Sequence, residues 1–246
     1  MSFIRKPSPL QPMEALEAAR LSLRYQSWER ARASASDAIQ ANPALVEAYM
    51  IRAIASRVLD ELDAAIADYT RVVELDPQRG EAWLFRGACK TQKASEVRDP
   101  ARACELLALA HPDYQRAAEL KPDDEQVGLA LLELEICIGK YREAVATTGL
   151  WWNRIDPANY KLICAWLGAI AFILAGRPEA KWAHFRHLLE QDEPRLGVTD
   201  WSVVEISRTL ERLASDPGCD RDSLAQARAM HELFLRHFPE RGPAIR

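Results

Sequence analysis

The sequence contains few cysteines, which cross-link small folds, and few of the glycines and prolines that are typical of tight turns. Its five cysteines are odd in number and scattered, and no two of them form a C-x-x-C pair, so a disulfide framework is not indicated. Glycine and proline are modest in number, at 10 and 14, while Ala, Leu, Glu and Arg dominate. This composition favours packed helices over sheets, and the cysteines are typical of ordinary thiols in a reducing compartment.

A concentration of one charge and a long apolar run are also missing. The 32 basic and 36 acidic side chains are spread along the chain for a net charge of -4, whereas a protein that binds phosphate backbones usually carries a basic stripe. The longest uncharged run, 162–176, has 15 residues, fewer than the about 18 expected of a membrane span. Residues 1–13 hold no apolar stretch typical of a signal peptide. We therefore expect a cytoplasmic protein that binds neither nucleic acid nor membrane.

Catalytic motifs are absent as well. The chain has no phosphate-binding glycine loop, no Gly-x-Ser-x-Gly elbow and no His-Glu-x-x-His helix, so we expect neither an enzyme nor a cofactor. His184 and His187 lie three residues apart on one predicted helical face, with Glu190 a further turn on, and such a set can ligate a metal. Two partly exposed histidines without a metal are the simpler interpretation. A metal-binding protein that uses His184 and His187 is a remote alternative.

What the sequence does contain is an internal repeat of 34 residues, since the segment 81–87 (EAWLFRG) repeats the pattern of 47–53 (EAYMIRA). Alanine leaves room where two helices cross closely, and proline ends a helix because it lacks an N–H group. Six alanines each precede a proline by twelve to fourteen residues, in the pairs Ala31/Pro43, Ala65/Pro77, Ala110/Pro122, Ala144/Pro157, Ala180/Pro194 and Ala227/Pro239. The pattern predicts a series of helical hairpins. The fifth is degenerate, because Arg177 stands where other repeats have a large apolar or aromatic residue.

These residues resemble the tetratricopeptide repeat family, whose unit is a 34-residue helix-turn-helix with small residues at the crossing and a closing proline. The stretch 46–77 is a near-complete match, and the resemblance extends over 12–194 and more loosely to Pro239. It implies an all-α fold, a right-handed α-α superhelix of about six helical hairpins. It implies a scaffold class rather than one biochemical activity.

The predicted domain organisation follows the repeat. An N-terminal extension over 1–12 precedes a solenoid of five hairpins over 13–194, and capping helices over 195–246 form a degenerate sixth hairpin. The predicted helices are 13–25, 28–41, 45–59, 62–75, 79–95, 101–120, 124–138, 141–152, 158–175, 178–191, 200–214 and 222–237.

The third hairpin is predicted to be longer than its neighbours. Between Gly87 and Ala110 the chain holds eleven residues more than the period allows, in a charged stretch near 91–101. Either both helices run longer, or the extra residues form a lip that touches a ligand. Pro112 should bend or restart the second helix of this hairpin.

The first helix of the fifth hairpin, predicted within 158–175, is apolar on every side over 162–175. Such a helix cannot face water all round, so another surface must cover its open edge. In order of preference, we expect that cover to be the two C-terminal helices, a second copy of the chain, or a partner.

The resemblance also implies where a partner would bind, because in this family the first helices line a concave groove that holds an extended peptide or a helix. An adaptable methionine and a rim of arginines favour an amphipathic helix or an extended segment with acidic residues. The residues expected in the groove are Leu16, Arg20, Arg24, Met50, Ile54, Arg57, Leu84, Ala88, Glu133 and Phe172.

The preferred functional hypothesis is therefore a protein-interaction scaffold or adaptor that binds a peptide or helix of a partner protein in this groove. The alternative is a homo-oligomeric assembly block that associates through the apolar fifth repeat and the C-terminal hairpin.

Overall fold

The computed structural model describes residues 11–155, 160–191 and 204–236, and within these ranges the chain forms α-helices joined by short turns, with no β-strand. The helices are α1 (Pro12–Arg24), α2 (Trp28–Ala41), α3 (Val46–Val58), α4 (Leu62–Leu75), α5 (Gly80–Ser95), α6 (Pro100–Ala108), α7 (His111–Leu120), α8 (Glu125–Cys137), α9 (Tyr141–Trp152), α10 (Lys161–Leu174), α11 (Ala183–Leu189), α12 (Val204–Ser215) and α13 (Arg221–Arg236). A single 3-10 turn, Glu179–Lys181, precedes α11. The all-helical prediction is confirmed.

The helices end where the repeat predicts. Pro43, Pro77 and Pro122 each lie two residues beyond the last residue of a helix, after α2, α4 and α7. Proline stops a helix because it cannot donate the next backbone hydrogen bond and restricts the residue before it. The remaining predicted stops, Pro157, Pro194 and Pro239, lie outside the described residues.

The chain divides into two compact units, of which unit 1 ends at Lys93 and unit 2 begins at Ala94. In unit 1, α1 packs on α2, α2 on α3, and α3 on both α4 and α1. The crossings are made by fully buried alanines such as Ala31 and Ala65, which let the helices approach closely. Tyr69 of α4 is fully buried beneath α5, where its ring lies 5.9 Å from that of Phe85.

An ion pair joins α3 to α4 on the second-helix side of unit 1. The Arg52 guanidinium donates to both carboxylate oxygens of Asp68, from Nε at 2.8 Å and from Nη2 at 2.7 Å. The side chains are 28% and 9% exposed, so water screens this pair only in part. Hydrogen bonding to Asp68 raises the pKa of Arg52, which keeps the guanidinium charged in this position.

Unit 2 contains α6 to α13, and its longest predicted second helix is interrupted. The chain turns at Leu109 and Ala110, and Pro112 occupies the first turn of the new helix α7, as expected from its missing N–H. The insertion of the third hairpin lengthens α5 to Ser95 and leaves a short connection, 96–99, before α6. Asp99 begins α6 by accepting a hydrogen bond from the backbone N–H of Arg102 at 2.6 Å.

The second helix of the fifth hairpin is shorter than predicted. The expected helix over 178–191 is replaced by the 3-10 turn and by α11, which has seven residues. Pro178 has an extended backbone (ψ 148°), and the chain turns again at Trp182 so that this indole is buried. Ala180 is therefore exposed in the 3-10 turn and does not make the helix crossing that its repeat position predicts.

Two glycines of unit 2 allow close helix contacts. A Cβ at Gly128 of α8 would lie 2.2 Å from the ring of Trp151 on α9, and one at Gly168 of α10 would lie 2.7 Å from Thr148. Trp151 is 1% exposed, so it is a core residue that fills the space over Gly128. In the described residues, no helix is both long and apolar enough to span a lipid bilayer.

Candidate functional site

In unit 1 the first helices of the hairpins, α1, α3 and α5, lie side by side. Arg20 of α1 donates from Nε to Glu47 of α3 at 2.6 Å and also pairs with Glu17 on its own helix. Gln92 of α5 donates to Asp60, which follows α3, at 3.0 Å. We call the exposed surface of these three helices the first-helix face of unit 1.

The floor of this face is apolar and partly open to solvent. Met50 and Ile54 are half-buried on α3, one turn apart, and pack against the core cluster that contains Tyr69. Val58, a further turn along, is 45% exposed. Leu84 and Ala88 of α5 are half-buried as well. These positions leave apolar contact area available on one side of two neighbouring helices.

Two arginines on this face have no carboxylate partner among the described residues. Arg24 is exposed in the last turn of α1 and forms no ion pair there. Arg57 is half-buried, with its guanidinium 5.5 Å from the centre of the Phe85 ring. Its Nε is buried and donates no hydrogen bond within the described part of the chain. The exposed Arg24 guanidinium therefore retains donors for an acceptor outside the chain, and the charge of the half-buried Arg57 has no carboxylate to match it among the described residues.

Below Arg57 lie two buried groups, Tyr69 and Cys89, that are held neutral. Burial raises the pKa of the Cys89 thiol to about 11 and raises that of the Tyr69 phenol further, although the Arg57 charge opposes both shifts. A neutral, apolar layer under the guanidinium strengthens its attraction to an anion, because the local dielectric constant is lower than that of water.

Two of the predicted groove residues have other roles in unit 1. Leu16 is 2% exposed and belongs to the core between α1, α2 and α3, so a partner cannot reach it; this expectation is corrected. Arg20 lies on the face, but its charge is already matched by Glu17 and Glu47, and hydrogen bonding to Glu47 raises its pKa. The sequence signal for this pairing is the acidic residue in the first turn of a first helix, Glu47 in α3.

In unit 2 the corresponding surface is covered. The first helices α8 and α10 pack together, and α12 lies against α8 while α13 lies against α10. Leu129 of α8 and Ala169 of α10 are fully buried. Glu133 is half-buried on α8, and Phe172 packs its ring 5.7 Å from that of Phe185 on α11.

The cover of the apolar helix α10 is thus provided by the chain itself. The ring of Phe234 on α13 stacks on that of Trp166 at 4.2 Å and 4°, and His231 stacks on the same indole at 5.5 Å. Ten of the fourteen residues of α10 are buried, and none of its large apolar residues is exposed. The first of the three covers proposed from the sequence is the one found.

The histidines considered as metal ligands lie at the surface of unit 2. His184 contacts the rings of Trp152 and Phe185, and partial burial lowers its pKa. Nowhere in the described ranges do three or more His, Cys, Asp or Glu side chains form a cluster that could hold a metal ion. The packing around His184 accounts for its position without a ligand.

Comparison with known proteins identifies relatives of the fold. No family model matches the chain. A stretch of 102 residues, 41% of the chain, is 32% identical to the SGT1 homolog of rice (Oryza sativa subsp. japonica) and spans 28% of that protein.

Three solved structures share the helical arrangement at low sequence identity. YrrB, a TPR protein with an unusual peptide-binding site, matches with a TM-score of 0.58 at 16% identity, covering 92% of this chain and 91% of YrrB. A tetratricopeptide repeat protein from Parabacteroides merdae matches with a TM-score of 0.52 at 16% identity, covering 94% and 86%. The Naa15/Naa10 complex bound to HypK-THB matches with a TM-score of 0.52 at 16% identity, covering 93% of this chain and 34% of the other. Together with the 34-residue period, these matches establish that the chain has the fold of the tetratricopeptide-repeat proteins.

Proposed function

We propose that this chain is a protein-interaction scaffold that binds a segment of a partner protein on the first-helix face of unit 1. The observation that carries the proposal is the combination on one face of an apolar floor, Met50, Ile54 and Val58, with two arginines that have no carboxylate partner in the described residues. Proteins of the same fold support the proposal, since YrrB has a peptide-binding site and Naa15/Naa10 binds HypK-THB.

The chemistry of the face specifies the ligand class. Met50 and Ile54 offer adaptable apolar contacts that suit an amphipathic helix or an extended segment. Arg24 and Arg57 offer guanidinium donors at its rim, which match carboxylates. Because Arg20 is neutralised within the chain, these two arginines set the charge preference, and the partner segment carries acidic residues beside its apolar ones.

The experiment tests both the preference for an acidic partner segment and the location of its binding site on the first-helix face. The partner is first identified by affinity capture and mass spectrometry, and its binding segment is then measured as a labelled peptide by fluorescence anisotropy. Arg24→Glu with Arg57→Glu should weaken the affinity about tenfold, since the two charge reversals, one exposed and one half-buried, together are worth about 1.4 kcal/mol.

The charge control is Arg30→Glu, a single reversal at an exposed arginine on the second helix α2. This change alters the net charge without touching the first-helix face and should leave the affinity unchanged. Equal binding by the double variant and the wild type, with an unchanged circular dichroism spectrum, would contradict the proposal.

The assembly-block hypothesis has less support, because the apolar surface that it requires is covered by α13. Sedimentation of the full chain measures it directly.

A further inference from the structure

Unit 1 has a second concave surface, on the side of α3 that is turned away from the first-helix face. It is a groove of about 440 Å³ between the second helices α2 and α4, with α3 as its floor, and we call it the second-helix groove. Arg52 and Ser56 of α3 line it, one turn apart. Met50 and Ile54 precede them by two positions each, which places these residues of the first-helix face about 200° around the helix. The two surfaces are therefore separate.

The walls of the second-helix groove are small and apolar. Ala33 of α2 and both Ala64 and Ala67 of α4 are exposed alanines that line it. Ala33 and Ala67 are 34 residues apart, so they hold the same place in successive repeats. Because each wall presents only methyl groups, a straight aliphatic chain can enter between the helices, and the walls can cover its methylene groups.

The floor of the groove is polar, and one of its hydroxyl groups has no partner. Ser56 is 1% exposed, and its side chain forms no hydrogen bond within the described residues. The Ser36 hydroxyl, by contrast, donates to the Arg32 carbonyl at 2.9 Å and accepts from Arg52 at 3.3 Å. Asp68 accepts two hydrogen bonds from Arg52, whereas an ionised carboxylate offers about four acceptor sites. The floor thus has acceptors left for a donor that enters the groove.

The charge of the lining is negative. Asp68 is matched by Arg52, and Glu61, the residue before α4, is matched by Arg32 of α2 on the opposite wall. Glu29 lies one turn before Arg32, is exposed, and forms no ion pair with any described residue. Three carboxylates and two guanidinium groups leave a net charge of -1, which favours a cationic ligand.

We propose that the second-helix groove binds an arginine side chain from an extended segment of a partner protein. The aliphatic stem lies between the alanines of the walls, and the guanidinium donates to the Ser56 hydroxyl and the Asp68 carboxylate while Glu29 attracts its charge. This charge preference is opposite to that of the first-helix face. The groove contains neither Arg24 nor Arg57, so the inference does not depend on the function proposed above.

The test is an NMR titration of the isotope-labelled full-length chain with the peptide acetyl-Ala-Arg-Ala-amide. Binding in the groove should shift the amide resonances of Ser56, Ala64 and Ala67 in a saturable way and leave those of Ile54 and Val58 unchanged. The same peptide with norleucine in place of arginine keeps an aliphatic stem but lacks the guanidinium, so it should cause no such shifts. Glu29→Gln should weaken the affinity for the arginine peptide about threefold, because it removes one exposed charge.

Ala67→Leu is the variant that fills the groove. Because Ala67 is exposed, the larger side chain does not enter the core, and it occupies the space of the arginine stem. The shifts of Ser56 and Ala64 on addition of the arginine peptide should therefore disappear. Ala41→Leu is the matched control, since Ala41 is an exposed alanine at the end of α2 that does not line the groove, and this variant should bind as the wild type does.

Three results would overturn the proposal: equal shifts with the arginine and norleucine peptides, shifts confined to the first-helix face, or binding by Ala67→Leu with the affinity of the wild type. If Ala67→Leu does not fold, Ala33→Leu on the α2 wall replaces it, with the same expected loss of binding. The double variant Arg24→Glu with Arg57→Glu tests the first-helix face alone, so failure of either proposal is distinguished from failure of the other.

Discussion

At the scale of single residues, size decides whether two helices of this chain can pack. Ala31, Ala65 and Ala144 are all fully buried, because any longer side chain there would separate the crossing helices. Gly128 extends the same rule, since the space beside it is filled by the Trp151 indole from the opposite helix. The missing side chain of Gly128 thus leaves the space that the Trp151 indole fills.

This complementarity gives the first residue-scale prediction. Gly128→Ala places a Cβ 2.2 Å from ring atoms of Trp151, and the rigid indole must move. Overpacking of this kind costs about 1–3 kcal/mol, so the free energy of unfolding in urea should fall by that amount.

Gly149→Ala is the matched control within the same hairpin. Gly149 lies inside α9, is exposed, and a Cβ there would meet no atom within 4 Å. Alanine favours the helix by about 0.5–1 kcal/mol over glycine, so this variant should be more stable than the wild type. Destabilisation of both variants to the same extent would show that the Trp151 contact is not responsible.

At the scale of helices, capping residues and prolines in the sequence determine where several helices begin and end. Asp99 with Pro100 begins α6, and the proline after each of α2, α4 and α7 ends it, because these effects depend on adjacent backbone atoms. The shortened α11 could not be predicted in the same way. There the burial of Trp182 and Phe185 decides the course of the chain, and burial depends on residues distant in the sequence.

The cap of α6 gives the second prediction. Asp99→Ala removes the acceptor for the Arg102 N–H and should cost about 1 kcal/mol, with faster amide hydrogen exchange in the first turn of α6. Asp123→Ala is the control, since Asp123 is an exposed acid next to a helix start at which Asp124 provides the cap. Equal exchange in the two variants would mean that the Asp99 cap does not hold the turn.

At the scale of the whole molecule, the two units differ in whether other helices cover the surface of their first helices. The first-helix face of unit 1 has exposed side chains, among them Arg24 and Val58, while the matching surface of unit 2 is covered by α12 and α13. The period of the sequence predicts both sets of hairpins. It does not specify the stacking of Trp166 on Phe234, because no local pattern links residues so far apart.

Two buried titratable groups in unit 2 make the stability of the chain depend on pH in opposite directions. Burial raises the pKa of Glu135 from 4.5 to about 7 and lowers that of His231 from 6.5 to about 4. The contribution of Glu135 is complete below pH 4.5 and is lost as the pH rises through about 7, because the folded state favours the protonated acid. The contribution of His231 is complete above pH 6.5 and is lost as the pH falls through about 4, since the folded state favours the neutral ring.

Glu135→Gln should therefore stabilise the chain at alkaline pH and not at acidic pH. The full shift in the pKa of Glu135 corresponds to about 3 kcal/mol in the free energy of unfolding. Urea titrations across the pH range measure this difference. His231→Gln is the counterpart, and it should reduce the dependence of the free energy of unfolding on pH at acidic pH instead. If the free energy of unfolding of Glu135→Gln fell with rising pH as steeply as that of the wild type, Glu135 would not be the group responsible.

The 3-10 turn and short α11 have a consequence for enlarging this protein by duplication of its units. A further hairpin inserted between the fifth hairpin and α12 would need a full-length helix to rest on, and seven residues present about two turns. Any engineered insertion after α11 must first replace Pro178 and lengthen α11, whereas inserting copies at the second hairpin, whose 14-residue α4 is complete, requires no such repair.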